Sequence, residues 1–468
     1  MPVFFITDIL IFILLAMILL FAWYSRKYEH LRAPWRRVGR NPFAMASAVV
    51  LLFYVGVGLL DSVHFHPRIE TENPEEVVYA TGINSLLDLL TNRLQQQTEK
   101  TYSAPFAAHA FSREVIVQPD GSETRDYPRL EYGGSHLADP ESMRMADIAL
   151  KTGTGFLAGI LSWLVISALI IFLISYRTQS PFRQAISIII KRRCSYPWLV
   201  ILVTLACMII LITTTTYLSA YYHVLGTDKV GQDVLYQALK SIRTGLLIGT
   251  LTTLVMLPFA LALGIMAGYF RGWIDDVIQY IYTTLNSIPG VLLIAAAILM
   301  LEVYMTNHAA DFTSIEQRAD MRLLFLCMIL GIMSWTGLCR MLRGEALKLR
   351  EVDYVQAARA FGVNDMSIMA RHVLPNVMHI VMISIVIDFS ALVLAEAVLA
   401  YINIGVDPTM PSWGNMINSA RLEMAREPVV WWSLSAAFVF MLGLVLPANL
   451  FADAVRDAFD PRIRKIQN

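Results

Sequence analysis

YVQAARAFG, residues 354–362, is a polar, helix-forming segment that stands between two strongly apolar stretches, 322–342 and 376–400. It continues to His372-Val373-Leu374-Pro375-Asn376. The chain has 468 residues, of which 56% are hydrophobic and 16% charged, whereas soluble chains carry about 25% charged residues. Composition therefore indicates a membrane-embedded protein, and such a protein does not need a short polar helix for burial. We expect this helix to present a face to a soluble partner.

Long apolar segments predict the architecture, because about 20 mostly apolar residues are needed to cross the hydrocarbon core of a bilayer. Nine segments qualify: 3–24, 43–61, 154–176, 197–219, 241–268, 276–301, 322–342, 376–400 and 429–451. The first begins almost at Met1 and lacks the basic region and the cleavage site of a signal peptide, so we expect a retained helix. The sequence predicts an all-α polytopic membrane protein.

Basic residues predict the orientation, since Lys and Arg concentrate in cytoplasmic loops. They occur in the first connection (Arg26, Lys27, Arg32, Arg36, Arg37 and Arg40), after the third span (Arg177, Arg183, Lys191, Arg192 and Arg193) and in the tail (Arg456, Arg462, Arg464 and Lys465). With nine crossings, all three regions are cytoplasmic if the N-terminus lies outside and the C-terminus inside.

The same topology places residues 62–152 outside the membrane. Residues 83–97 show helical spacing of apolar residues, and residues 111–132 show a strand, a turn at Pro119-Asp120-Gly121 and a second strand. We therefore predict a small extracytoplasmic α+β domain. The predicted organisation is 1–61, two spans with a basic cytoplasmic loop; 62–152, the outer domain; 153–194, a third span and basic linker; and 195–468, a membrane core with the cytoplasmic loop 343–375.

Five motifs follow one another in residues 195–465. They are GTDKVGQDVL (226–235), AGYFRGWID (267–275), QAARAFG (356–362) with Leu374-Pro375, PSWGNM (411–416) and RDAFDPR (456–462). In this order they resemble the permease subunits of bacterial ABC importers, in the dipeptide/oligopeptide/nickel family and of its second-permease type. The resemblance implies a six-helix permease core to which three N-terminal helices have been added.

In that family the loop corresponding to 343–375 docks the membrane subunit onto a separate ATPase. The resemblance implies an ATPase-coupling set of Asp353, Tyr354, Gln356, Ala357, Ala358, Phe361 and Gly362. It also implies a family-motif set of Gly226, Thr227, Asp228, Gly231, Asp233, Trp413 and Gly414. From general helix chemistry we expect Gly362 to end the loop helix in the left-handed conformation and Pro375 to begin the next helix.

Three departures from the family pattern bear on function. Gln356 stands where the family has Glu, and Gln232 stands where it has Arg. We therefore expect docking to rely on shape and apolar contact more than on charge. Residues 1–153 have no counterpart in the simple six-helix members, and we expect their outer domain to contact a binding protein or to cap the mouth of the pathway.

The sequence contains no Gly-Lys dipeptide and hence no P-loop. We expect no cofactor and no metal in this chain, no enzyme activity of its own, and ATP and Mg²⁺ on partner ATPase subunits. The resemblance implies two such subunits, a second and distinct permease, and a soluble extracytoplasmic substrate-binding protein, all at a bacterial inner membrane and without nucleic acid. Its typical substrate is a di- or oligopeptide.

Two acidic residues lie inside a predicted span, Asp388 and Glu396. A carboxylate in hydrocarbon is costly, so both should face the bundle interior or a water-filled cavity. Together with Asn286 they are candidates for the translocation pathway, and structural hydrogen bonds are the open alternative. We expect Trp413, Trp431 and Trp432 to lie in an interfacial belt.

Two other functions stay open on the residues alone. One is an ion-coupled secondary transporter or channel that uses Asp388. The other is a membrane-anchored assembly protein that binds a partner through residues 62–152.

Overall fold

The computed structural model of the protein describes residues 2–27, 29–69, 78–80, 82–117, 123–179, 181–190, 196–309 and 314–459. Its helices are α1 (Ile6–Ser25), α2 (Glu29–Val38), α3 (Pro42–Asp61), α4 (Leu86–Leu90), α5 (Asn92–Gln96), α6 (Pro140–Thr178), α7 (Phe182–Ile190), α8 (Trp198–Ser219), α9 (Val234–Phe270), α10 (Trp273–Ser287), α11 (Gly290–Asn307), α12 (Ile315–Arg350), α13 (Asp353–Ala360), α14 (Asp365–Ile368), α15 (Leu374–Tyr401), α16 (Trp413–Glu423) and α17 (Trp432–Phe459). A π-helical turn, Met369–Val373, joins α14 to α15.

Seven short strands accompany the helices in the described ranges. They are β1 (Pro2–Val3), β2 (His64–Phe65), β3 (Arg68–Ile69), β4 (Val78–Tyr79), β5 (Asn84–Ser85), β6 (Glu114–Val117) and β7 (Glu123–Asp126). They form three small antiparallel groups, β1-β2-β5, β3-β4 and β6-β7.

Within the described part of the chain, nine helical stretches are long and apolar enough to cross a membrane. They are Ile6–Tyr24, Pro42–Asp61, Pro140–Arg177, Trp198–Ser219, Val234–Phe270, Gly290–Asn307, Ile315–Arg350, Asp365–Tyr401 and Trp432–Phe459. Many of their large apolar side chains are exposed, among them Leu20, Leu161 and Leu211, as lipid-facing side chains must be. The predicted polytopic all-α class with nine spans is confirmed.

The sixth span differs from the prediction of one helix over 276–301. The chain forms α10 and α11 instead, with extended backbone at Ile288 (ψ 129°) between them. Pro289 explains the break, since its ring disfavours helical geometry at the residue before it and it has no N–H to donate. The stretch that can span a membrane is therefore α11, which begins after the proline.

The eighth span also differs from the prediction of a helix over 376–400 that begins at Pro375. Helical structure begins at Asp365 and passes through the π-helical turn into α15. Proline cannot donate to the carbonyl four residues earlier and clashes with it in a regular α-helix. The wider π turn directly before Pro375 relieves that conflict, so the helix passes the proline without a break.

The segment 62–152 carries most of the strands. The predicted hairpin is present, with Glu114 opposite Asp126 and Val117 opposite Glu123, and its predicted turn lies outside the described residues. The predicted helix over 83–97 is wrong in detail: β5 precedes two short helices, α4 and α5, that meet at Thr91. The third spanning helix, α6, begins at Pro140, well before the predicted 154.

The chain divides into two compact units. The first consists of Met1–Val3, Arg36–Thr244 and Pro411–Pro447, and the second of Phe4–Trp35, Gly245–Met410 and Ala448–Asn468. The segment 62–152 thus belongs to the same compact unit as α8 and the start of α9. The four consecutive domains proposed from the sequence stay a prediction.

Candidate functional site

The short helix α13 belongs to the second unit. Its Val355 side chain is 1% exposed and packs in an apolar cluster with Leu342, Ile368 and Val373, and Ala358 packs against the same cluster. Val355 and Ala358 are three residues apart and therefore share one face of the helix. This face fixes α13 to the ends of α12 and of the helical stretch that leads into α15.

The remaining residues of the predicted coupling set lie on the exposed side. Asp353, Gln356 and Ala357 are exposed, Tyr354 is 44% exposed, and Phe361 is 87% exposed. Val363 and Met366 add exposed apolar surface just beyond the helix. The structure therefore brings the set together on α13 and at its C-terminal end, with Ala358 as the half-buried exception.

Gly362 ends α13 in the left-handed conformation, with φ +75°, as predicted. Its N–H donates to the carbonyl of Arg359 at 3.0 Å, and the Val363 N–H donates to the carbonyl of Ala358 at 3.1 Å. A Cβ on Gly362 would meet nothing within 4 Å. The glycine is therefore required by backbone conformation and not by a close neighbour.

Gln356 has a partner within its own chain. Its Nε2 donates to Glu351 Oε2 at 3.3 Å, and Glu351 Oε1 accepts from Arg271 Nη2 at 2.8 Å. A carboxylate at position 356 would face the Glu351 carboxylate at that distance, whereas the amide of Gln356 can donate to it.

An open cavity of about 370 Å³ lies beside α13. It is lined by Tyr269, Arg350, Glu351, Val355, Gln356, Arg359 and Ala360. Arg350 Nη1 donates to the carbonyl of Tyr269 at 2.7 Å, and Tyr269 Oη donates to Asp365 Oδ1 at 2.6 Å. These bonds fix the wall of the cavity that faces α13.

The candidate pathway residues lie on two helices of the second unit. Asp388 is half-buried and Glu396 is 4% exposed, both on α15. Asn286 lies exposed in the last turn of α10, and its Oδ1 accepts from Thr336 Oγ1 at 3.2 Å. A common pathway through the three stays a prediction.

The motif at 226–235 has a structural role that its sequence did not reveal. Thr227 is fully buried, and its Oγ1 accepts from the Ser103 N–H at 2.6 Å and donates to the carbonyl of Thr101 at 2.9 Å. A Cβ on Gly231 would lie 1.7 Å from the Glu99 carbonyl oxygen. A Cβ on Gly226 would lie 2.4 Å from the carbonyl oxygen of Ser103. The segment 99–103 therefore packs closely against residues 226–233, and this part of the motif is called the seat below.

The two aspartates of the motif shape the same seat. Asp228 Oδ1 accepts from the N–H groups of Val230 and Gln232, at 3.0 and 2.8 Å, and so closes the turn. Asp233 Oδ1 accepts from the N–H groups of Leu235 and Tyr236, at 2.8 and 3.3 Å, at the start of α9. That arrangement is the one expected of an N-terminal helix cap.

A buried ion cluster ties this seat to the segment 62–152. His223 is 2% exposed, and its Nδ1 donates to Asp233 Oδ2 at 2.8 Å while its Nε2 donates to Glu99 Oε1 at 3.3 Å. Glu99 also accepts from the N–H groups of Glu131, Tyr132 and Gly133. Burial alone would lower the pKa of His223, but the hydrogen bonds to Asp233 and Glu99 outweigh it and raise the pKa to about 9.

The carboxyl group of Glu99 responds in the opposite direction. Burial would raise its pKa, but the bonds from His223 and from three backbone N–H groups lower the pKa to about 2. His223 and Glu99 were missed at the sequence level. They lie 124 positions apart, and no spacing within either segment indicates the pair.

The expectation of an interfacial belt is wrong for two of its three tryptophans. Trp413 and Trp432 are each 2% exposed, and their Nε1 atoms donate to the carbonyls of Ala238 at 3.1 Å and Thr227 at 2.9 Å. Trp431 is 53% exposed. Gly414 is buried in the first turn of α16. The residues of the P-S-W-G motif therefore pack inside the first unit, where indole N–H groups find carbonyl partners.

Comparison with known proteins connects these features to a family. The family described as "binding-protein-dependent transport system inner membrane component" matches residues 260–465. The chain is 31% identical over 242 residues to the glutathione transport system permease protein GsiD of Pectobacterium atrosepticum, which covers 52% of this chain and 73% of that protein. It is 32% identical over 245 residues to the oligopeptide transport system permease protein OppC of Mycobacterium tuberculosis, covering 52% of this chain and 78% of that protein.

The chain belongs to this family. It is the membrane-spanning permease subunit of an ATP-driven ABC importer, it lies in the inner membrane with several crossings, and it is not itself an enzyme. The chain is also 26% identical over 302 residues to the dipeptide transport system permease protein DppC of Alkalihalophilus pseudofirmus. This longer match covers 62% of this permease and 92% of that protein. The matched family range begins at residue 260, so the seat at 226–233 lies before it.

Proposed function

We propose that this permease imports di- or oligopeptides. The relatives named above are permeases for glutathione, oligopeptides and dipeptides, which are all peptides or peptide-like molecules. In the proposed assembly a second, distinct permease completes the pathway, two ATPase subunits supply the energy, and a soluble binding protein delivers the substrate. The N-terminus and the segment 62–152 face the outside, and the C-terminus faces the cytoplasm.

The coupling element of this importer is α13 with Gly362. One observation carries the proposal: α13 has Val355 fully packed in the core and is followed directly by Phe361, which is 87% exposed. An ATPase that binds the exposed side can therefore move α13 only together with α12 and α15. Closure of the ATPases then switches the pathway between outward and inward access, provided that the two states contact α13 differently.

Surface chemistry supports docking by shape. The exposed side presents Tyr354, Phe361 and Met366, while Gln356 and Glu351 are bonded to each other. The cavity of about 370 Å³ beside α13 offers a recess for a partner side chain. At protein interfaces, exposed aromatic side chains such as Tyr354 and Phe361 and well-packed pockets often account for most of the binding energy.

Ala357→Asp tests the coupling role, because it places a charge on the exposed side without disturbing the buried face. We expect ATP-driven uptake by the reconstituted importer to fall about tenfold or more, a loss of at least ~1.4 kcal/mol of coupling, with membrane insertion unchanged. The matched control is Ala146→Asp, the same change at an exposed position of α6. Uptake by Ala357→Asp equal to that of the control would refute coupling through α13.

The substrate class is tested separately. Proteoliposomes that hold the complete importer and its binding protein are supplied with ATP inside and labelled dipeptide, tripeptide or glutathione outside. Accumulation that unlabelled peptides suppress supports the proposal. Accumulation of none of these, with intact ATPase stimulation by another solute, would rule out peptides as the substrate.

A further inference from the structure

The short helix α4 has an apolar side that no part of the described protein covers. Leu86, Leu89 and Leu90 are 38%, 61% and 69% exposed, whereas Leu87 and Asp88 on the other side are 5% and 3% exposed. Residues separated by three and four positions lie on one face of a helix, so the three leucines form one stripe. In water such a stripe is unfavourable by about 25 cal/mol for each Å² of apolar surface.

Hydrogen bonds place α4 at the end of a membrane-spanning helix. Ser85, which caps α4, donates through Oγ to Asp61 Oδ1 at 2.7 Å, and the Leu86 N–H donates to the carbonyl of Val63 at 2.9 Å. Asp61 is the last residue of α3, which has 20 residues. At about 1.5 Å per residue α3 measures about 30 Å, which equals the hydrocarbon thickness of a bilayer. The first turn of α4 therefore lies at the hydrocarbon boundary.

A charged cluster fixes the rotation of α4. Lys240 Nζ lies 2.8 Å from Asp61 Oδ1 and 3.0 Å from Asp88 Oδ2, and Tyr236 Oη donates to Asp88 Oδ1 at 2.7 Å. Ser85 and Asp88 also form a reciprocal capping box. Asp88 is thus held on the inner side of the helix, and the leucine stripe cannot turn inward without breaking these bonds.

Further exposed apolar side chains lie on α3 and directly after it, as expected of a helix that crosses a membrane. Val63, directly after α3, is 43% exposed, and Leu52 and Val55 on α3 itself are 69% and 37% exposed. An amphipathic helix at this depth inserts its apolar face about 5–10 Å into the boundary between headgroups and acyl chains.

We propose that α4 is an interfacial membrane anchor, with Leu86, Leu89 and Leu90 inserted into the outer leaflet of the bilayer. The partner is lipid, and the anchor holds the segment 82–103 at the membrane surface while its other end is seated on Thr227 and Gly231. Insertion into lipid requires that α3 spans the membrane, the assignment to the outer leaflet rests on the orientation proposed above, and neither depends on the solute that the importer carries.

Site-specific fluorescence tests the anchor. The four native cysteines are replaced by alanine, and Leu89→Cys or Leu90→Cys is labelled with an environment-sensitive fluorophore in the full-length importer in lipid nanodiscs. The matched control is Val115→Cys, which is 58% exposed on β6 of the same segment 62–152. Quenching is measured with aqueous iodide and with lipids that carry a nitroxide on the acyl chain.

We expect labels at positions 89 and 90 to be quenched about threefold more by the nitroxide lipids, and about threefold less by iodide, than the label at 115. Iodide quenching equal to that at position 115 would overturn the proposal, because the helix would then face water. Protection from both quenchers would overturn it as well, because the stripe would then be covered by a partner protein. Retained uptake by the labelled importer shows that the probes report on the native fold.

Discussion

Gly231 and Gly362 have almost the same backbone conformation, with φ +76° and +75°, and opposite surroundings. At Gly231 an added Cβ would overlap the Glu99 carbonyl, whereas at Gly362 it would project into open space. The first glycine is required by a close neighbour and by conformation, and the second by conformation alone. The sequence shows both as glycines in turns, and only the fold separates their roles.

Gly231→Ala should therefore destabilise the first unit far more than Gly362→Ala destabilises the second. Left-handed geometry costs a non-glycine residue about 1–2 kcal/mol, and at Gly231 the displacement of the backbone at Glu99 adds to that cost. Thermal unfolding of the two variants in detergent, compared with wild type, checks the prediction. Equal shifts in melting temperature would mean that the segment at Glu99 is not held against Gly231.

His223 makes stability depend on pH. Its folded pKa is about 9, above its ordinary 6.5, so its contribution is complete below pH 6.5 and is lost as pH rises through 9. The folded pKa of Glu99 is about 2, below its ordinary 4.5, so its contribution is complete above pH 4.5 and is lost as pH falls toward 2. From this cluster we expect greatest stability between pH 4.5 and 6.5.

His223→Gln should flatten the alkaline part of that profile. In wild type the contribution of His223 to the free energy of unfolding falls between pH 6.5 and 9. The fall is on the order of 3 kcal/mol at most, because each tenfold change in proton affinity is worth about 1.4 kcal/mol. Melting temperatures from pH 5 to 10 provide the measurement. A variant that keeps the wild-type slope above pH 6.5 would show that other groups produce it.

At the scale of elements, α13 has one side packed against the core and one exposed side. Proline defines its neighbours: Pro289 ends one helix and starts another, whereas Pro375 lies in a continuous helix because a π-helical turn precedes it. Proline by itself does not say which of these happens. The outcome depends on whether packing on both sides of the proline holds the helix axis, which is a property of the fold.

Val355→Ala should weaken the packing of α13 against the core of the second unit. Removing two buried methyl groups costs about 2 kcal/mol through lost burial and the cavity left behind. We expect faster hydrogen exchange over residues 353–363 and weaker coupling of ATP hydrolysis to uptake. Val363→Ala, the same change at a position just beyond α13 that is 39% exposed, is the control and should alter exchange much less. Wild-type exchange in Val355→Ala would show that α13 is held by other contacts.

At the scale of the molecule, the segment 62–152 is part of the first compact unit and not an appended module. Its residues Glu99 and Ser103 provide the buried partners of His223 and Thr227, and its Ser85 and Asp88 provide partners for Lys240. Buried polar groups that lose their partners are costly, typically about 1–3 kcal/mol each.

Deleting residues 65–150 should therefore reduce folding of the permease before any effect on substrate delivery can be seen. The control deletion is the hairpin 114–126, whose strand β7 is exposed throughout and whose flanking Arg113 and Tyr127 lie in contact. Accumulation in the membrane and melting temperature are the measurements. Normal accumulation and stability of the large deletion, with normal uptake, would show that the segment is dispensable.

The sequence by itself determined the class of molecule. Nine apolar stretches, the missing P-loop and the order of five motifs are local properties, and hydrophobic length and turn chemistry act through neighbours in the chain. For that reason the spans, the left-handed Gly362 and the helix at 353–360 could be predicted, as could the β6-β7 hairpin. The family resemblance was predicted from the same local patterns.

The tertiary structure decided what the motif residues do. The roles of Thr227, Gly231 and Trp413 come from partners far away in the chain, as does the pairing of His223 with Glu99. The burial of Val355 on α13 and the exposure of the leucines on α4 also depend on which face meets the core. Burial and buried hydrogen bonds are relations between distant segments, so no local pattern specifies them.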